Sequence, residues 1–394
     1  MGQFKRFQAR HPDATRKHLQ PAAQAAEPSV LPRRKKKRRL KLLKKGYKMT
    51  AAERWKTVVE FVRSNHVSDI SVFQTNVTAR LEGRVVHLSE EGALSRSEVQ
   101  ELIGELIKLY PAAGPEVSGS MGSADYTAEI NGVRFRINLG RAQGELFASL
   151  RPLSAQPPDL LEIGISKRIA ALVVALTDGL VLVSGPTGSG KTTTIAGIIE
   201  AINVSRPAKV VTIEDPVEFQ FRVNQAEIIQ REVGRDVPSY AEGLRQALRQ
   251  NPDVIVVGEI RDADSVLAAL QAAETGHLVI GSLHASSVVE TVRRLILLAP
   301  ERMAAEVRYV FGRTMRLVIN QRLLRRKSSG RIAVREICVH APNTEAVILS
   351  GNERELENYM LAGRELGMVD FQTALKQVQA QLDPAEFRTY ANVR

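Results

Sequence analysis

Eight consecutive residues, Gly185-Pro186-Thr187-Gly188-Ser189-Gly190-Lys191-Thr192, have the types and spacing needed to hold phosphate. Glycines at 185, 188 and 190 let backbone N–H groups turn inward around phosphate oxygens, a conformation that side chains obstruct. Lys191 is placed to reach β- and γ-phosphates, and Thr192, followed by Thr193, to ligate Mg²⁺. ATP and Mg²⁺ are therefore the expected cofactors. A glycine-rich turn that binds nothing is the plain alternative. Against it stand an apolar run before the glycines, Leu180 to Ser184, and a helical run after them, Thr193 to Ile199. They supply the strand, loop and helix order in which the helix N-terminus adds its partial positive charge.

Two further apolar runs end in acids. Val211-Thr212-Ile213-Glu214-Asp215-Pro216-Val217-Glu218-Phe219 starts as a buried strand and finishes in three carboxylates placed to act on water or Mg²⁺, unless they form only a solvated acidic turn. Asp253 to Asp262 delivers Glu259 at a strand end, with Gly258 where an Asp often sits, so a contact to Mg²⁺ through water is expected. His277 and His284 bracket a fourth apolar run and could sense a phosphate or be satisfied structural histidines.

The elements that must position these residues follow from pattern. Strands at Gly179 to Ser184, Lys209 to Glu214, Val254 to Gly258 and Leu278 to Ser282 alternate with helices, implying a parallel sheet with ligands at the carboxyl ends of its strands. Upstream, helices are expected at 51–64 and 95–109, the second with Ser95 as N-cap and Glu98 in capping-box position. Short alternating strands are expected at 70–73, 78–81, 84–88, 126–130, 133–138 and 146–152, with Glu82-Gly83 and Asn131-Gly132 as turns. The organisation expected is a tail over 1–48, a small α/β domain over 49–153, a proline-stiffened linker over 154–160 and a larger domain over 161–394.

The 394 residues carry a net charge of +12, but its location matters. Residues 1–48 hold 16 Lys/Arg and 2 Asp/Glu, leaving 39 and 41 for the rest, so the folded part is close to neutral and nucleic acid is a disfavoured partner. The tail, with its run from Arg33 to Arg39, is expected to be disordered and either touches anionic lipid or nucleic acid or precedes a true start at Met49. Cys338 alone makes neither a disulfide nor a cysteine zinc site, which fits a reducing compartment such as the cytoplasm. The longest apolar stretch, Ile169 to Val183, is interrupted at 177–179 and is shorter than the roughly 20 residues of a membrane helix. No apolar core of a secretory signal is seen near the N-terminus.

Taken in order, Gly185 to Thr194, Ile213 to Phe219, Gly258 to Asp262 and Ala273 to His284 resemble the Walker A, Asp box, Walker B and His box of the type II/IV secretion ATPase superfamily. The resemblance spans nearly all of 49–394 and is nearest to the pilus-retraction (PilT-type) branch. It implies a RecA-like P-loop NTPase domain with a smaller N-terminal PAS-like α/β domain. It implies Glu218 as general base, Lys191 on phosphate, Glu259 organising Mg²⁺ and His284 linking nucleotide state to the sheet. It also implies Arg136, Arg141 or Arg151 as arginine fingers. The expected assembly is a homohexamer at the cytoplasmic face of the inner membrane, working on a pilus platform protein. A single cysteine cannot build the tetracysteine insertion of the pilus-assembly and type II secretion relatives. Where the retraction branch typically has Ala-Ile-Arg-Asn-Leu-Ile, this chain has Pro342 to Leu349, which keeps a DotB-like secretion or conjugation motor as the alternative. Leu366 to Phe371 still resembles that branch.

Overall fold

The computed structural model describes residues 43–44, 48–81, 84–111, 114, 117, 122–153 and 156–391. Nearly all of the expected tail, the Glu82-Gly83 turn and the start of the expected linker lie outside these residues.

The N-terminal elements are α1 (Ala51–Ser64), β1 (Val67–Phe73), β2 (Asn76–Leu81), β3 (Arg84–His87), α2 (Arg96–Leu109), β4 (Ala124–Ile130), β5 (Val133–Ala142) and β6 (Glu145–Pro152). Both helices start with full capping boxes, Thr50 with Glu53 and Ser95 with Glu98. The strands form one antiparallel sheet in the order β3-β2-β1-β6-β5-β4. Asn131 and Gly132, both at positive φ, turn β4 into β5. One face of the sheet packs Ile70, Val72, Phe135, Ile137 and Leu150 against Trp55, Val59, Leu102 and Ile103 of the helices. Period-two alternation along β5 then puts Arg134 and Arg136 on the opposite face. Leu43 joins this core, 2% exposed, through backbone bonds with Leu88 and Glu90. The expectation that nothing before residue 49 is ordered therefore fails at Leu43: the last leucine of Leu40-Lys41-Leu42-Leu43 finds an apolar site along residues 88–90.

The C-terminal elements begin with α3 (Lys167–Ala175), β7 (Gly179–Ser184), α4 (Lys191–Ser205), β8 (Lys209–Glu214), β9 (Glu227–Glu232), α5 (Tyr240–Ala247) and β10 (Val254–Val257). They continue with α6 (Ala263–Glu274), β11 (Leu278–Leu283), α7 (Val288–Leu298), α8 (Ala304–Thr314), β12 (Met315–Arg325) and β13 (Arg331–Val339). Short helices α9 (Pro342–Ser350), α10 (Leu356–Ala362), α11 (Phe371–Val378) and α12 (Pro384–Ala391) close the chain. The sheet order is β13-β12-β7-β11-β10-β8-β9, parallel except for β13. Every residue of β7, β10 and β11 is buried, as expected of strands covered on both faces by helices. The fold is α/β, with a RecA-like larger body and a smaller N-terminal α/β body. The four expected strands are present. Strands β9, β12 and β13 were not anticipated, because Glu227–Glu232 and Met315–Arg325 interrupt their apolar residues with charges and amides. Among the described residues no helix is long and apolar enough to cross a membrane.

Candidate active site

The phosphate loop leaves the carboxyl end of β7 and turns through Gly185, Gly188 and Gly190 at φ of 148°, 76° and 87°. A Cβ at Gly185 would sit 2.3 Å from the Gln321 carbonyl and 2.5 Å from Ser189 Oγ, so only glycine fits. Gly190 is the N-cap of α4 and offers no side-chain cap, which leaves the first N–H groups of the helix for a ligand. Ser189 Oγ is buried without a partner at the same place. Lys191 Nζ donates to the Gly185 and Pro186 carbonyls at 3.1 and 3.3 Å, folded over its own loop. Partial burial pulls its pKa down, opposed by Glu259. The residues present fit a bound phosphate chain.

A cleft of about 440 Å³ lies over this loop, lined by Thr187 to Thr193 together with Asp215, Glu218, Glu259, His284, Arg136 and Arg151. The carboxylates arrive on neighbouring strands. Burial pushes the Glu214 carboxyl up, and Thr212 Oγ1 at 2.6 Å and Gln230 Nε2 at 3.0 Å satisfy it. Glu232 accepts from Val217 N at 3.0 Å. Arg134 donates to the Val217 and Glu218 carbonyls, both at 2.9 Å. These bonds fix the backbone of the acidic loop, and Glu218 is left reaching the cleft, with its Oε1 3.4 Å from Arg136 Nη1. Arg136 also binds Asp125 at 2.7 Å.

Glu259 follows β10, and its Oε1 lies 3.4 Å from His284 Nε2 at the end of β11. Burial, then the Lys191 charge, lowers the His284 pKa, and Glu259 opposes that shift. Position 258 is tight: a Cβ there would lie 3.0 Å from Ile213 O and 3.3 Å from Tyr240 Cε1. Among the described residues no cluster of three His, Cys, Asp or Glu could hold a metal by itself. Thr192 and Glu259 at the loop fit a Mg²⁺ ion whose remaining ligands are phosphate oxygens and water.

The three candidate arginines divide. Arg136 and Arg151 are cross-strand partners on β5 and β6 and both line the cleft, Arg151 also pairing with Asp69 at 3.3 Å. The structure does not bring Arg141 there. It sits at the opposite parity of β5, on the helix-covered face, and donates to the Val117 and Gly144 carbonyls at 3.0 and 3.1 Å. His277 is also away from the cleft; its Nδ1 contacts Ala272 O at 3.1 Å at the start of β11.

Sequence reasoning passed over the residues that hold the loop from behind. Gln321, 1% exposed on β12, donates to Ser189 O at 2.7 Å and accepts from Thr194 Oγ1 at 2.8 Å. Its neighbour Asn320 donates to Ser184 Oγ at 2.9 Å and to Ala285 O at 3.0 Å, next to His284. Adjacent amides inside an apolar run were the available signal.

Residues 128–329 match the family described as Type II/IV secretion system protein, about half of the chain. The chain belongs to that family. Among members of the secretion family, the Type IV pilus retractation ATPase PilT of Pseudomonas aeruginosa is 36% identical over 65% of this chain and 75% of its own length. The uncharacterized protein YggR of Escherichia coli is 34% identical over 74% and 88%. In three dimensions the chain is similar to the pilus retraction motor PilT solved with bound ADP, with TM-score 0.75, 30% identity, and coverage of 88% of this chain and 98% of that one. The Legionella pneumophila ATPase DotB follows with TM-score 0.72, 29% identity, and coverage of 88% and 96%.

Proposed function

We propose that this chain is an ATP-hydrolysing motor that powers retraction of a type IV pilus. One observation carries the reading: the phosphate loop, Glu218 and the Glu259–His284 pair converge on a single cleft of a chain whose family includes PilT. Mg²⁺ at the loop would supply positive charge to offset the charge that develops on the phosphates. The loop amides and Lys191 bind and orient the phosphate chain. Thr192 would hold the metal directly and Glu259 through water. Glu218 takes the proton of the attacking water, with the Glu218 backbone kept in place by Arg134. Arg136 and Arg151 stabilise negative charge from the small sheet. His284, 3.4 Å from Glu259, passes occupancy of the cleft to β11.

The work requires two parts that move. Residues 49–153 and 161–394 act as domains around a linker at 154–160, in a homohexamer at the cytoplasmic face of the inner membrane, against a pilus platform protein. A second reading, a DotB-like secretion or conjugation motor, is favoured by the nearly equal structural similarity to DotB and by Pro342 to Leu349. Surface pili counted by electron microscopy on cells carrying Lys191→Ala at the native locus decide between them. Retraction predicts excess pili with lost surface motility. Unchanged piliation would contradict it and support the secretion motor, and bald cells would indicate an assembly motor.

A further inference from the structure

A second cavity of about 440 Å³, separate from the ATP cleft, opens between the start of α3, strand β13 and helix α11. Its lining includes Arg168, Arg335 and Arg364 with Ser166, Thr373 and Gln377, an otherwise apolar or backbone wall, and no carboxylate. Arg335 is the unusual member. It is 7% exposed, yet its bonds go to neutral acceptors: Nε to Gln321 Oε1 at 3.2 Å and Nη1 to Ile163 O at 2.8 Å. Among the described residues no carboxylate reaches ion-pair distance of it. A buried cation is normally paired, and leaving one unpaired is costly. Burial without a compensating charge pulls the guanidinium pKa down to about 10.

The surroundings add positive potential instead of offsetting it. Helix α3 opens at this cavity with Ser166 as N-cap and no acid in its first turn, where acids are ordinarily favoured, and Arg168 lies there instead. Arg168 and Arg364 are exposed and form no ion pair with described residues. The volume falls in the range of small-molecule sites.

We propose that this cavity is a second anion site, taking a phosphorylated small molecule of about nucleotide size, its phosphate on the three arginines and its body on the apolar wall. The site goes beyond ATP hydrolysis in the cleft and does not depend on what the motor drives. It is wired to the phosphate loop. Arg335 holds Gln321, and Gln321 holds Ser189 O and Thr194 Oγ1, so occupancy of one site bears on the other, reciprocally.

The test is calorimetric titration of inorganic pyrophosphate into the full chain saturated with ADP in the absence of magnesium, beside the R168A/R364A variant. Both substituted residues are exposed and outside the ATP cleft, so ADP affinity reports that the variant is folded. The expected result is one equivalent of pyrophosphate bound by the wild type without release of ADP, with affinity falling at high salt. In the variant it should bind roughly tenfold more weakly or worse, the scale of losing hydrogen bonds to charged groups. No binding, equal affinity in the variant, or release of one ADP per pyrophosphate would each overturn the proposal, the last by placing pyrophosphate on the phosphate loop.

Discussion

Gly258 shows how one residue defines what the cleft contains. Strand β10 delivers its acid one position later, at Glu259, and the space at 258 is tightened by Ile213 O and the Tyr240 ring. Gly258→Asp should overpack this point and destabilise the protein by about 1–3 kcal/mol, seen as a lower melting temperature; an unchanged melting temperature would contradict the steric account. The acid at 259 was readable in the sequence as the polar end of an apolar run. The tight space at 258 was not, because it comes from residues 213 and 240, distant in the chain. Arg141 was less legible still: the strand expected at 133–138 stops short of it, and only the extension of β5 to Ala142 sets its parity, opposite to that of Arg136.

Among elements, β12 and β13 matter most to the site and were the least legible. The apolar run Met315–Arg325 carries Asn320 and Gln321 at its centre, which suits a strand only when both amides have buried partners, and those partners come from β7, α4 and the loop after β11. The four strands of uninterrupted apolar sequence needed no such knowledge. On β13, Glu336 accepts from Val288 N at 2.7 Å and so anchors the start of α7, just past His284. Burial, aided by Glu357 and Asp370 and opposed by Val288 N and Arg322, pushes its pKa up to about 7 from near 4.5. A carboxyl whose folded pKa is raised contributes stability that is full below its unfolded value and is lost as pH rises through the folded one. Stability should therefore fall between about pH 4.5 and 7 by roughly 1–3 kcal/mol from this group. Glu336→Gln keeps an acceptor for Val288 N and removes the charge, so its melting temperature should drop less than that of the wild type between pH 5 and 8. Parallel pH profiles would show that Glu336 is not the source.

At the scale of the molecule, the two sheets meet where chemistry is expected. Arg134 and Arg136 of the small sheet hold the backbone and side chain of residue 218, so displacement of the small sheet necessarily disturbs Glu218. This arrangement suits the motor reading, because it ties Glu218, proposed as the base, to the small sheet. The family could be read from four ordered motifs. The contact between the sheets could not, because it joins positions over eighty residues apart. The most direct measurement is phosphate release from Mg-ATP by the purified chain and by Glu218→Gln, with ADP affinity measured in parallel. The account predicts turnover by the wild type, a loss of roughly 10²-fold or more in the variant, and ADP binding preserved within a few-fold. Equal turnover in both would contradict the assignment of Glu218, and no turnover by an assembled wild-type ring would contradict the motor itself.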